Sequence, residues 1–411
     1  MKFEKFRIQA EIIRSLKKLN FKKPTDIQYK AIPAILKGED VLAIAQTGTG
    51  KTAAFAIPII DMIQEKKTSK RSEGLRCVVM VPTHELAVQI KEVFEEIGKH
   101  TLVNTFAVFG GVEQDRQIKK LQGGLDVLIA TPGRLFDLVS QKHLDLRKVE
   151  MLVLDEADHM LDLGFYKDIQ DLLRFLPRNR QTLFFSATIN DKIKKLAYSL
   201  VKNAIRIQIS PKNPVAKNID HALIYVEMDE KRFVLERILK EHKESKILVF
   251  VRTKVRAERV MKAMGRVGID ALTLHGDKDQ KDRMQVMKTF QKGKIRLLIA
   301  TDVSARGIDI SGIAYVINYD LPEQAENYVH RVGRTGRGRE RGQALSFCAE
   351  HEKEQLVKIE DFLGHRIKVL EYGEGDQLET KEMSLDATQD WRSVMQEIEQ
   401  EEKKRKKRKK K

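Results

Sequence analysis

Along the chain, short continuous apolar runs alternate with longer stretches in which apolar residues return every three or four positions. The runs at 41–44, 77–81, 106–109, 127–130, 151–154, 182–185 and 205–209 are rich in Val, Ile, Leu and Phe. Most of these runs are apolar throughout rather than at alternate positions, which predicts strands buried on both faces. With amphipathic helical stretches between them, they predict a parallel sheet covered by helices on both sides. Ser210-Pro211-Lys212-Asn213-Pro214 interrupts the pattern, which resumes with runs at 246–251, 271–274, 295–300, 314–317 and 344–348. The expectation is an α/β protein of two domains, residues 1–209 and 221–369, joined by a linker at 210–220. Ahead of the first strand, Ile8, Ile12, Ile13, Leu16 and Leu19 lie at helical spacing, and Pro24 ends that helix before another begins. From 370 to 411 periodicity fades, apart from a short helix expected at 391–402, and the Lys/Arg end reads as disordered.

In parallel sheets ligands bind at the carboxyl ends of the strands, so the polar residues after each run are the candidates. After the first run stands Ala45-Gln46-Thr47-Gly48-Thr49-Gly50-Lys51-Thr52, between a strand and a helix as a P-loop requires. Its glycines let backbone N–H groups turn toward phosphate oxygens, and the helix N-terminus adds its positive end. Lys51 then reaches the β and γ phosphates and the Thr52 hydroxyl sits on Mg2+. The run at 151–154 delivers Asp155-Glu156-Ala157-Asp158. Beside a P-loop this is a Walker B element, with Asp155 on Mg2+ and Glu156 polarising the attacking water; by itself it is an acidic helix cap.

Other strand ends carry Thr83-His84-Glu85, Gly110-Gly111, Thr131-Pro132-Gly133-Arg134 and Ser186-Ala187-Thr188. Hydroxyls, exposed N–H groups and helix N-termini there suit a phosphate backbone, whereas singly each reads as a turn. The second half has no P-loop and so is not a second ATPase unit. It has Thr301-Asp302-Val303-Ser304-Ala305-Arg306-Gly307-Ile308-Asp309 and His330-Arg331-Val332-Gly333-Arg334-Thr335-Gly336-Arg337-Gly338. The arginines there are either a solvated basic loop or arginine fingers. Gln28 offers both a donor and an acceptor, which serve either an adenine edge or the start of a helix.

Composition narrows the setting. A chain of 411 residues with 42% hydrophobic content predicts folded domains rather than disorder. Its net charge is +17, and the last nine residues are all Lys or Arg, yet the body without them stays basic. That balance points to a polyanion, nucleic acid before membrane. The basic end either binds phosphates or aids solubility. Cys77 and Cys348, each within an apolar run, read as reduced core residues. With no signal peptide and no apolar run long enough for a bilayer, a cytoplasmic protein is expected.

In this order the segments resemble the motif set of the DEAD-box ATP-dependent RNA helicases, over residues 3–370. The resemblance implies two tandem RecA-like domains on a flexible linker, with ATP and Mg2+ as cofactors and RNA as partner. It implies that Phe3 and Gln28 form an adenine-reading pair within a glutamine motif at 1–29, and that Asp309 contacts the nucleotide. Ser186 and Thr188 link the ATP state to the RNA site, His330 couples the two, and Arg334 and Arg337 are the arginine fingers. RNA-backbone contacts are implied for Thr83, Gly111, Thr131, Gly133, Arg134, Gln280, Arg283 and Thr301. Fingers and P-loop on separate domains imply that closure joins them, so that ATP and RNA bind cooperatively.

His84 stands where the family usually has arginine, which leaves one phosphate contact weaker or pH-dependent. Asn20 and Asp26 replace the usual glycine and proline. The short N-terminus and basic tail resemble bacterial members of the RhlE-like kind. The implied activity is RNA-stimulated ATP hydrolysis that unwinds short duplexes or remodels ribonucleoproteins, with ribosomal or RNA-decay assemblies as settings. An RNA-binding clamp or scaffold with little unwinding is the alternative from another class, and a DNA translocase is disfavoured by the DEAD and glutamine motifs.

Overall fold

The computed structural model describes residues 2–45, 48–209, 215, 218–302, 310, 312–336 and 341–371, with only the backbone of Gln280. The chain divides into two compact units whose boundary falls between the seventh and eighth strands.

The first unit holds strands β1 (Val41–Ala45), β2 (Cys77–Met80), β3 (Thr105–Val108), β4 (Val127–Ala130), β5 (Met151–Leu154), β6 (Gln181–Ser186) and β7 (Ile205–Ile209). They form one parallel sheet in the order β3-β4-β2-β5-β6-β1-β7. The continuous apolar runs have the cause expected of them. Val41, Ala43 and Ala45 enter one core with Phe55, Ile90 and Phe94, while Leu42 and Ile44 enter a second with Leu135, Leu138 and Leu196. Successive side chains point to opposite faces, so a strand with helices on both sides has no polar position to spare.

The second unit repeats the plan with β8 (Ile219–Tyr225), β9 (Lys246–Phe250), β10 (Ala271–Leu274), β11 (Leu297–Ala300), β12 (Ile313–Asn318), β13 (Gly342–Cys348) and β14 (Lys368–Val369). The order is β10-β11-β9-β12-β13-β8-β14, again all parallel.

Three expectations need correcting. β8 and β14 lay outside the expected strands, and β8 begins inside the expected 210–220 linker; residues 210–214, 216 and 217 are outside the described part. β8 mixes exposed Asp220 and Tyr225 with buried Leu223, and β14 has two residues, so neither gives a continuous run. The first helix spans Ala10–Lys18, leaving Ile8 ahead of it, after a short 3-10 turn at Phe3–Phe6. The tail from 372 onward, with the helix expected at 391–402, lies outside the described residues.

Candidate functional site

In the first unit the sheet order puts β1, β6 and β5 side by side, so their carboxyl ends gather the P-loop, the Ser186 segment and the Asp155 segment on one edge. Ala45 closes β1, and Gln46 and Thr47 lie outside the described residues. Gly48 and Gly50 take φ +80° and +90°, the left-handed region that glycine enters without strain. Lys51 opens the helix Lys51–Glu65, with Thr52 half-buried behind it and Thr49 half-buried ahead. The Lys51 Nζ is buried and has no hydrogen-bond partner among the described residues. An orphaned ammonium is costly, and a polyphosphate is a group that would satisfy it.

Asp155 is buried beyond the end of β5 and accepts the Glu156 N–H at 2.9 Å. Burial pushes its carboxyl up to about 6, with the Lys51 charge opposing the rise and the Glu156 and Asp158 charges adding to it. A buried carboxylate held against two others is a place where a divalent cation would relieve the cost. The donor set therefore fits Mg2+ and ATP.

Glu156 caps the helix Ala157–Asp162 in the left-handed region, φ 50° and ψ 48°, and makes no side-chain cap bond. A non-glycine residue there stores strain, which clusters at functional sites. Asp158 carries a role that sequence reading missed. Its Oδ2 accepts Ala187 N at 3.1 Å, Thr188 N at 2.9 Å and Thr188 Oγ1 at 3.1 Å, tying the helix after β5 to the turn after β6. Ser186 Oγ in turn donates to the Thr188 carbonyl at 2.8 Å. An acid at the end of the Asp155 segment was the only local signal for this.

Gln28 is 2% exposed. Its Oε1 accepts the Thr25 N–H as part of a capping box, and its Nε2 donates to the Gly50 carbonyl at 3.1 Å. The helix-start reading is met, with a brace to the P-loop added. Phe3 is a correction. At 3% exposure, edge-on to Phe6 and tilted against Phe21, it is part of the core with Ile12 and Leu16 and shows no open face for a base to stack on. His84 also lies in the interior, its ring buried against Phe109 with centroids 3.5 Å apart.

The expected RNA contacts of this unit cluster at neighbouring strand ends. Thr83 caps the helix His84–Ile97 by accepting Leu86 N, and its O–H is still able to donate. Gly111 is exposed at φ +77°. Thr131 and Gly133 are half-buried at the start of the helix Pro132–Ser140, and a side chain at Gly133 would meet nothing within 4 Å. Arg134 donates to Gln117 Oε1 at 2.9 Å and to the Val112 carbonyl at 3.1 Å, which holds it over the segment that follows Gly111.

In the second unit, Thr301 and Asp302 follow β11, and Arg283 lies half-buried on the helix Gln280–Gln291, which Gln280 opens. Arg331 is buried and grips Asp302 with two nitrogens, one at 2.8 Å, while donating to the Asp320 carbonyl at 2.6 Å. Arg334 is 4% exposed and donates from Nε to the His330 carbonyl at 3.1 Å; His330 is half-buried. These two arginines are therefore no solvated loop. Arg337 and Asp309 lie outside the described residues.

Two family models match, "DEAD/DEAH box helicase" over residues 25–196 and "Helicase conserved C-terminal domain" over 230–339. The ATP-dependent RNA helicase CshA of Listeria monocytogenes is 40% identical over 370 residues, 90% of this chain and 70% of its own. The chain belongs to the DEAD-box ATP-dependent RNA helicases. The helicase is also 38% identical to the DEAD-box ATP-dependent RNA helicase RhpA of Helicobacter pylori, over 90% of this chain and 74% of the relative. Its fold matches S. cerevisiae Dbp5 bound to RNA and ADP BeF3 with a TM-score of 0.82 at 30% identity, covering 94% of this chain and 99% of that one. Mss116p bound to ssRNA and AMP-PNP matches with a TM-score of 0.81 at 27% identity, covering 97% and 86%. The two units of the helicase are thus tandem RecA-like domains.

Proposed function

We propose that this helicase hydrolyses ATP at the edge formed by β1, β6 and β5 and uses the cycle to separate short RNA duplexes or remodel ribonucleoproteins. The observation that carries the reading is the partnerless buried ammonium of Lys51 beside buried Asp155. The P-loop residues 45–52 wrap the phosphates, Lys51 binds the β and γ groups, and Gln28 faces the nucleotide from its brace on Gly50. Thr52 and Asp155 would hold Mg2+, which when bound would offset the negative charge of the phosphates. Glu156 orients the attacking water and takes its proton. Arg334 and Arg337 bring positive charge to the transferring phosphoryl group, and Asp309 contacts the nucleotide.

Thr83, Gly111, Thr131, Gly133, Arg134, Gln280, Arg283 and Thr301 hold the RNA by its backbone. Such contacts carry little sequence information, so binding is largely sequence-independent. Ser186, Thr188 and His330 couple the two ligands. Residues 1–209 and 219–369 act as the two halves, with 370–411 as a basic tail. No helix among the described residues is long and apolar enough to cross a membrane. Buried, unpaired Cys77 and Cys348 suit the reducing cytoplasm, where ribosomal or RNA-decay assemblies are the settings we favour.

The test is Glu156→Gln with Lys51→Ala as companion. E156Q should bind ATP and RNA yet lose turnover, and K51A should lose ATP binding. Undiminished hydrolysis by E156Q would refute the assignment. Wild-type ATP-dependent RNA binding with negligible turnover and no duplex separation would make the protein a clamp.

A further inference from the structure

His159 is a buried titratable side chain to which the proposed chemistry gives no task. It lies on the first turn of the helix Ala157–Asp162, 4% exposed, three residues after Glu156. Its Nδ1 stands 3.4 Å from Glu156 Oε2, and its Nε2 is buried with no hydrogen-bond partner among the described residues. A carboxylate can only accept, so a bond between the two requires the proton on Nδ1. The opposite tautomer would set two lone pairs against each other and bury an N–H with nothing to receive it.

The backbone of His159 is held as well. The His159 N–H donates to Asp158 Oδ1 at 3.1 Å, and the other oxygen of Asp158 receives the three donors from Ala187 and Thr188. His159 is thus anchored through its backbone to the turn after β6 and directs its side chain at Glu156. The Glu156 carboxylate makes no cap bond to its own helix. A glutamate side chain has several freely turning bonds, and any geometry a reaction needs must be imposed on it by neighbours.

We propose that His159 is a positioning residue for Glu156, its Nδ1–H holding one carboxylate oxygen so that the other is presented to the attacking water. This rests on the assignment of Glu156 to that water. The bond constrains the base and touches neither phosphate nor RNA, so its loss should act on the rate of the chemical step and leave ligand binding alone.

Three variants separate this role from simple packing. His159→Leu keeps bulk and removes the donor, His159→Asn puts an amide N–H close to where Nδ1 stands, and His159→Gln carries its N–H out to the Nε2 position, away from Glu156. With saturating single-stranded RNA, kcat should fall about ten- to hundredfold in H159L and H159Q, as for a misplaced catalytic group. H159N should recover most of the rate. KM for ATP and RNA binding with a non-hydrolysable ATP analogue should stay at wild-type values in all three. Wild-type kcat in H159L or H159Q would overturn the proposal, and so would equal loss in H159N and H159Q, which differ in where they carry the donor. E156Q runs beside them. If it still turns over ATP, the Glu156 assignment fails; if it is inactive while H159L and H159Q are not, only the role of His159 fails.

Discussion

The Gln28 side-chain amide donates to the Gly50 carbonyl at 3.1 Å while accepting the Thr25 N–H at 3.0 Å, so one residue both starts a helix and braces the phosphate loop. Gly50 leaves no room for an alternative, because a Cβ there would come within 2.5 Å of Gln28 Nε2. Gln28→Glu keeps the acceptor toward Thr25 and turns an acceptor on the Gly50 carbonyl. It should destabilise the first unit by about 1–3 kcal/mol, the cost of an unmade buried hydrogen bond, and raise KM for ATP about tenfold. Steady-state hydrolysis across ATP concentrations checks this; an unchanged KM would mean that the brace does not shape the loop.

Asp158 ties the segment carrying Glu156 to the turn carrying Thr188 through three bonds to one oxygen. Asp158→Ala should leave KM for ATP within about twofold and remove most of the RNA stimulation of hydrolysis, since a coupling is a free energy shared between sites rather than a property of either. The quantity to measure is the ratio of rates with and without single-stranded RNA. A preserved ratio would show that the coupling runs elsewhere.

Glu258 accepts from His275 Nε2 at 2.7 Å and Thr273 Oγ1 at 2.8 Å. The His275 bond, then the Thr273 bond, hold its carboxyl down to about 2 against the opposing effect of burial. A depressed carboxyl stabilises the fold above its unfolded value near 4.5, and that contribution drains away as pH falls toward about 2. Glu258→Gln should therefore lower the stability of the second unit by about 1–3 kcal/mol at pH 7. The gap to wild type should narrow between pH 5 and pH 3, as denaturant unfolding of both proteins would reveal; a constant gap would refute the assigned cause.

The nine basic residues 403–411 carry more than half of the net charge of +17. If they meet RNA phosphates, deleting them should weaken RNA binding and flatten the plot of log affinity against log salt, by about 0.7 per lost phosphate contact on a single strand. Fluorescence anisotropy at several salt concentrations reads the slope directly. An equal slope in both proteins would make the tail a solubility device.

The two sheets and the strand-end motifs could be read from the chain because they are local. A strand buried on both faces writes a continuous apolar run, and a loop that must curl around phosphates writes glycines at 48 and 50. Where buried and exposed positions mix without a continuous apolar run, as in β8, or the strand is as short as β14, that signature is absent and the strands went unseen.

What the tertiary structure decided are the partners. Nothing near Gln28 in the sequence points to Gly50, nothing near Asp158 to Thr188, and nothing near His84 to the ring of Phe109. Phe3 has the right residue type for a stacking role and became core because the helix Ala10–Lys18 and Phe21 close over it. Arg331 and Arg334 look alike in the sequence, yet one is bound to Asp302 and the other to the His330 carbonyl. Hydrophobic period and loop chemistry act within a few residues, so the sequence alone determines elements and motifs. Burial and hydrogen-bond pairing depend on segments brought together across the sheet, and only the folded chain determines which side chain is spent on the scaffold and which is left for the ligand.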